Sequence, residues 1–137
     1  MKIEKTLNVP SQVFFDKIID SVIFDIRKAT GKTVSRKQLA GYEYVKEFSA
    51  SSRAKIKIEE LIENQVYQFR TETTKNEFVV RYEISALNDK QTKVSYTETM
   101  KSFGILQQLN DMLLGTILGY FKRKQFKKML VMMEESY

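Results

Sequence analysis

The stretch Lys93-Val94-Ser95-Tyr96-Thr97-Glu98-Thr99-Met100 alternates two kinds of side chain, and its reading decides the fold. Val94, Tyr96 and Met100 fall on one side with Glu98 among them, while Lys93, Ser95 and Thr97 fall on the other. Successive side chains of a strand point to opposite faces, so this is a strand with one face covered. The period of two runs back to Gly41, broken by polar clusters at Ser51-Ser52, Glu63-Asn64, Lys75-Asn76 and Asn88-Asp89-Lys90. Breaks of that length are hairpin connections, and they predict five consecutive strands in an antiparallel meander.

The covered phase of these strands holds Tyr42, Tyr44, Phe48, Ala54, Ile56, Ile58, Ile62, Tyr67, Phe69, Phe78, Val80, Tyr82, Ile84, Val94, Tyr96 and Met100. It contains five of the seven tyrosines, together with Glu60, Glu98, Thr71 and Thr73, where a solid core favours Leu, Ile and Val. A buried tyrosine hydroxyl needs a partner, and a buried carboxylate needs one more urgently. Aromatic walls with a few polar tips suit a small-molecule pocket. The plainer alternative is an ordinary core whose hydroxyls reach the sheet rim and whose Glu60 and Glu98 sit at strand ends near water.

Outward from the meander, Met1 to Val9 alternates as a first strand, and Pro10-Ser11 ends it. Phe14, Phe15, Ile18, Ile19, Val22, Ile23 and Ile26 then recur at three and four, which predicts an amphipathic helix capped by Ser11 and ending near Gly31. Asp16, Lys17, Asp20, Asp25 and Arg27 fall largely on its solvated side. A single helical turn is expected around Ser35 to Leu39.

Ile105 to Tyr137 reads as one long terminal helix. Leu106, Leu109, Met112, Leu113, Ile117 and Tyr120 share a face, but Phe126, Met129, Leu130 and Met133 lie about 120° away, beyond what helical drift absorbs. A bend near Gly119 is expected, with Gly115 and Gly119 forming a notch one turn long. Lys122 to Lys128 carries five positive charges, read as a solvated helix end with anionic contact as the alternative.

Composition removes several chemistries. The chain of 137 residues suits one domain over 1–137, and its nine Phe and seven Tyr supply a core. With no Cys and no His there are no disulfides, no thiolate nucleophile, no imidazole base and no common zinc or iron site. No catalytic residue, metal ligand or cofactor is therefore assigned. Absence of a long apolar run or signal segment points to the cytoplasm without stable membrane insertion. The net charge of +6 is spread evenly, unlike that of a dedicated nucleic-acid binder, so no nucleic acid is expected.

Strand, Pro-initiated helix, meander and terminal helix occur in the order of a known superfamily. Leu7-Asn8-Val9-Pro10-Ser11-Gln12-Val13-Phe14 resembles the opening, and Ile105 to Met133 the closing helix, of SRPBCC proteins, the START-like or birch-pollen-allergen-like group. Small bacterial members are the most similar in pattern. The resemblance implies an α+β helix-grip fold, a curved antiparallel sheet of about six strands around the terminal helix, with a cavity for hydrophobic molecules or lipids. It departs from Rieske oxygenase relatives, whose iron ligands have no counterpart here.

The expected function is non-enzymatic binding of a hydrophobic or amphipathic small molecule or lipid. The ligand-contacting residues are expected to be Tyr44, Glu60, Tyr67, Phe69, Phe78, Tyr82, Tyr96, Glu98, Met112, Gly115, Gly119 and Tyr120. A cyclase, dehydratase or isomerase using Glu and Tyr is the alternative, as is a protein-interaction module. The oligomeric state is left open.

Overall fold

A computed structural model describes residues 2–49, 52–102, 127–128, 130–132 and 134–135. Strand β1 (Lys2–Leu7) leads into helix α1 (Ser11–Thr30), and five strands follow: β2 (Glu43–Ser49), β3 (Ser52–Ile62), β4 (Val66–Glu72), β5 (Asn76–Asn88) and β6 (Gln91–Ser102). They form one six-stranded antiparallel sheet in the order β1-β6-β5-β4-β3-β2. The meander expected from alternation is thus present, with β1 added beside β6. The expected turn after α1 is a 3-10 helix at Arg36–Gln38.

Helix α1 starts one residue earlier in its capping than the sequence suggests. Pro10 is the N-cap, extended at φ −61° and ψ 147°, and its carbonyl accepts the first helical bond from Phe14 N–H at 3.1 Å. Ser11 is the first helical residue, and no side chain caps this end. The far end closes as expected: Gly31 adopts φ 76°, and its N–H donates to the Arg27 carbonyl at 2.8 Å. Glycine takes that left-handed conformation without a steric cost from Cβ.

The apolar stripe of α1 drives the packing. Phe14, Phe15, Ile19, Val22 and Ile26 are buried with Leu7, Val9, Leu39, Tyr44, Ile56, Ile58, Tyr67, Ile84 and Val94 in the main core. Leu130, in the helical residues near the C-terminus, joins that core at 1% exposure. Glu134 accepts bonds from the backbone and side-chain nitrogens of Asn8, at 2.9 and 3.3 Å. Thr92 is fully buried, yet its hydroxyl donates to the Val9 carbonyl at 2.7 Å, so the strand-to-helix junction is held without an orphaned polar group.

Three register shifts interrupt the alternation, and one of them corrects the sequence reading. Ile58 pairs with Phe69 but Glu60 pairs with Gln68, so Glu59 is an extra residue in β3. A bulge of one residue exchanges the faces beyond it. Leu61 consequently packs on the core, Ile62 is 42% exposed, and Glu60 lies on the outer face. Met100, also expected to be covered, is 41% exposed near the end of β6.

Among the described residues, no helix is long and apolar enough to cross a membrane. The expected bend at Gly119, the Gly115 and Gly119 notch, and the stripe from Leu106 to Tyr120 lie outside the described residues. Of the basic block, Lys127 and Lys128 are described, and both are exposed.

Candidate functional site

The inner face of the sheet carries a row of rings from three adjacent strands. Tyr67 on β4 stands edge-on to Phe69, with centroids 5.3 Å apart, and meets Tyr82 on β5 at 5.8 Å. Tyr82 stands edge-on to Tyr96 on β6 at 5.1 Å. The cross-strand register places them there, since Tyr67 is opposite Tyr82 and Tyr82 is opposite Tyr96. Edge-to-face pairs of this kind favour the packed row beyond simple area burial. Phe78, opposite Thr71 and Met100, extends the inner face toward the other end of β5 as a half-buried ring.

Each end of the row carries a carboxylate. At one end the Tyr96 hydroxyl donates to Glu98 Oε2 at 3.0 Å, and Glu98 sits opposite Val80 on the same inner face. At the other, the Tyr44 hydroxyl donates to Asp25 Oδ2 at 2.6 Å while the Lys46 ammonium donates to Asp25 Oδ1, also at 2.6 Å. Tyr44 also lies 6.2 Å from the Tyr42 ring. Neither Asp25, expected on the solvated side of α1, nor Lys46 was among the expected ligand-contacting residues. Asp25 lies three positions after Val22 and one before Ile26, at the margin of the apolar stripe, which was the available signal.

These contacts set the proton affinities. Burial would raise the Asp25 carboxyl, but hydrogen bonds from Lys46 and Tyr44 outweigh it and hold the group below the usual range. Burial is the main reason that the hydroxyls of Tyr44, Tyr67, Tyr82 and Tyr96 all resist ionisation well above the ordinary tyrosine range. The Asp25 hydrogen bond adds to this at Tyr44, and the Glu98 charge adds to it at Tyr82 and Tyr96. The row is therefore a set of neutral hydroxyls flanked by the carboxyl groups of Asp25 and Glu98.

Glu60 is not part of this face. Its Oε2 accepts from Arg81 Nη1 at 2.8 Å on the outer side, where Arg81 also donates to Gln68 and Glu83. Glu59 and Glu77 bind Arg70 on that side. This alternating charge network covers the water-facing surface of the strands. Glu98 is thus the one of the two expected carboxylates that accompanies the tyrosines. Met112, Gly115, Gly119 and Tyr120 lie outside the described residues.

Two of the open grooves among the described residues lie elsewhere. One of about 610 Å³ is lined by Ser11, the turn Glu63 to Val66, Arg81 and Glu83 to Ala86, and the other, of about 590 Å³, by Asn8, Pro10, Asn88, Lys90 and Gln91. Their walls are mainly turn residues and exposed polar side chains, which suits hydration more than capture of an apolar molecule. Among the described residues, no cluster of three or more carboxylates could hold a metal ion.

An open antiparallel sheet carrying a helix after its first strand, with aromatic residues on its inner face, defines an α+β protein of the kind found in several solved structures. A conserved protein from Geobacillus kaustophilus shares 15% identity over 98% of this chain and 95% of its own, with a TM-score of 0.59. Ara h 8.0201 shares 16% over 90% and 92%, with a TM-score of 0.56. The Zhui aromatase/cyclase from Streptomyces sp. R1128 shares 9% over 77% and 68%, with a TM-score of 0.52. At these identities the likeness establishes the fold, and the neighbours fit the helix-grip type. The chain itself belongs to the family described as Domain of unknown function (DUF3284), whose model matches residues 1–119. A search of the curated proteins found no match.

Proposed function

We propose that the tyrosine-lined face binds a hydrophobic or amphipathic small molecule or lipid, as a cytoplasmic protein of the SRPBCC superfamily and without chemical conversion of the ligand. The observation that carries this reading is the continuous row Phe69, Tyr67, Tyr82, Tyr96 ending on Glu98. Rings supply apolar area at little cost in side-chain entropy, and a polar group beside them orients what lies on them. The fold shared with a protein named as an aromatase/cyclase supports a face that receives a small organic molecule. Native mass spectrometry of freshly purified protein tests it. A bound lipid or metabolite mass that disappears in Val80→Trp is expected; bare protein that also fails to take up added apolar ligands sinks the reading.

One observation favours acid/base chemistry as a second reading. The Tyr96 hydroxyl and Glu98 carboxylate are in direct hydrogen bond, so a proton donor and acceptor share one inner-face position. In a cyclase, dehydratase or isomerase built on that pair, Glu98→Gln lowers turnover at least about a hundredfold. Unchanged turnover removes Glu98 from that role.

A further inference from the structure

We infer that the exposed face at the C-terminal end of α1 docks on an anionic lipid bilayer, with Phe24 as its apolar anchor and Arg27, Lys28 and Lys32 as its headgroup contacts. None of these residues belongs to the ring row, so the inference stands apart from the binding reading.

The positive charge, even along the sequence, is uneven in its pairing. On the outer face of the sheet Arg53, Lys55, Lys57, Arg70, Arg81 and Lys93 each lie beside a glutamate. From Ile26 to Tyr42 the chain has five cations, Arg27, Lys28, Lys32, Arg36 and Lys37, and no Asp or Glu. Arg36 is taken by Asp16 and Glu63. Arg27, Lys28, Lys32 and Lys37 are exposed and form no salt bridge among the described residues. Asp25, which lies in the field of Lys28, is already engaged by Lys46 and Tyr44, and Asp20, one turn before Phe24, is the acidic residue nearest to it on the exposed side. The helix dipole accounts for cations in the last turn, Arg27 and Lys28. It does not account for Lys32 beyond Gly31, nor for the ring beside them.

Phe24 is 65% exposed. At 3.6 residues per turn it stands about 180° from the middle of the buried stripe Phe14, Phe15, Ile19, Val22 and Ile26, so the core makes no use of it. A single exposed ring is ordinary, but Arg27 and Lys28 follow this one by three and four positions, the spacing of neighbours on a helix surface. Such a ring enters the boundary between headgroups and acyl chains, while the long basic side chains beside it reach the phosphates. A nucleic acid fits the same cations less well. Among the described residues no second aromatic ring is exposed, so bases find no platform on which to stack.

The chain has no tryptophan, so Phe24→Trp places a lone fluorophore at the anchor. On phosphatidylglycerol vesicles its emission is expected to shift to the blue and to be quenched by brominated acyl chains, with neither change on phosphatidylcholine vesicles. In vesicle sedimentation Arg27→Glu/Lys28→Glu is expected to weaken binding to phosphatidylglycerol at least about 25-fold, from about fivefold for each cation near an anionic surface, and Phe24→Ser about tenfold. Equal binding to both lipids, or emission unmoved on phosphatidylglycerol, overturns the inference. Binding that survives in both variants, each folded by circular dichroism, also overturns it and assigns the contact to other cations such as Lys127 and Lys128. An emission shift with duplex DNA and none with vesicles makes the partner a nucleic acid and overturns the bilayer. Should either charge or ring variant not fold, the emission and quenching of Phe24→Trp decide alone.

Discussion

The two ends of one sheet face differ more than their common alternation suggests. Beneath α1 the face is closed by Phe14, Phe15, Ile19 and Ile26 against Ile56, Ile58 and Ile84, a dense aliphatic and phenylalanine core. Toward β1 and β6 the buried group shrinks to Ile3, Val80 and Tyr96, with Phe69 and Tyr82 bordering both regions and Glu98 alongside. Apolar alternation makes a strand face inward, but the strand pattern alone does not say what that face packs against. The first region is specified by packing. The second keeps polar tips that packing alone does not require.

Alkaline pH strikes both regions together and has the largest expected effect. The four buried hydroxyls are raised in the fold, so below about pH 10 both folded and unfolded states hold these protons and stability is insensitive to them. As pH rises past that point the unfolded chain ionises first. Each tyrosine then withdraws at most about 1.4 kcal/mol per further pH unit, so stability falls as pH climbs above that point. Tyrosinate absorbance should appear in step with loss of far-ultraviolet circular dichroism. Ionisation of all the tyrosines with the fold intact would break the claim.

Phe15→Ala tests the helix-covered region by itself. Phe15 is fully buried, with the Arg36 guanidinium 5.3 Å above its ring, and its loss should cost about 3 to 5 kcal/mol in denaturant unfolding. A cost below about 1 kcal/mol would mean that α1 is not the cover it is taken to be.

Asp25→Ala sits between the two regions in effect. It strips Lys46 and Tyr44 of a common acceptor and should cost about 1 to 3 kcal/mol at neutral pH. Because the folded carboxyl is lowered, its contribution is present above its ordinary range and is lost as pH falls through the folded value. The difference between the variant and the unaltered protein should therefore shrink in acid. A difference that persists unchanged at low pH would refute the assigned pairing.

Tyr96→Phe should be the mildest, about 0.5 to 1.5 kcal/mol, since the ring and its contact with Tyr82 remain and a single hydrogen bond to Glu98 is lost. A loss comparable to Phe15→Ala would erase the distinction between the two regions.

Much of this architecture is legible in the residues because it is local. Gly31 ends α1, the four polar clusters mark the hairpins, and the period of two recovers the five strands of the meander. Glu60 shows where local pattern fails. Ile58, Leu61 and Ile62 allow either phase in that part of β3, and the pairing of Glu60 with Gln68 selects the one that turns it outward to Arg81. Asp25 shows the complementary failure: a charge at the margin of an apolar stripe belongs with the solvated face until β2 brings Tyr44 and Lys46 beneath it.

By itself, then, the sequence determined the order of elements, the inward phase of most strands and the crowd of tyrosines on that phase, since periodicity and turn chemistry act over a few residues. The tertiary structure decided which carboxylates accompany those tyrosines. Glu98 stays on the inner face, Glu60 is turned away by one extra residue, and Asp25 is brought in from α1. Charges find their partners across strands and layers, where separations of tens of residues become a few ångströms, and no local period encodes that distance.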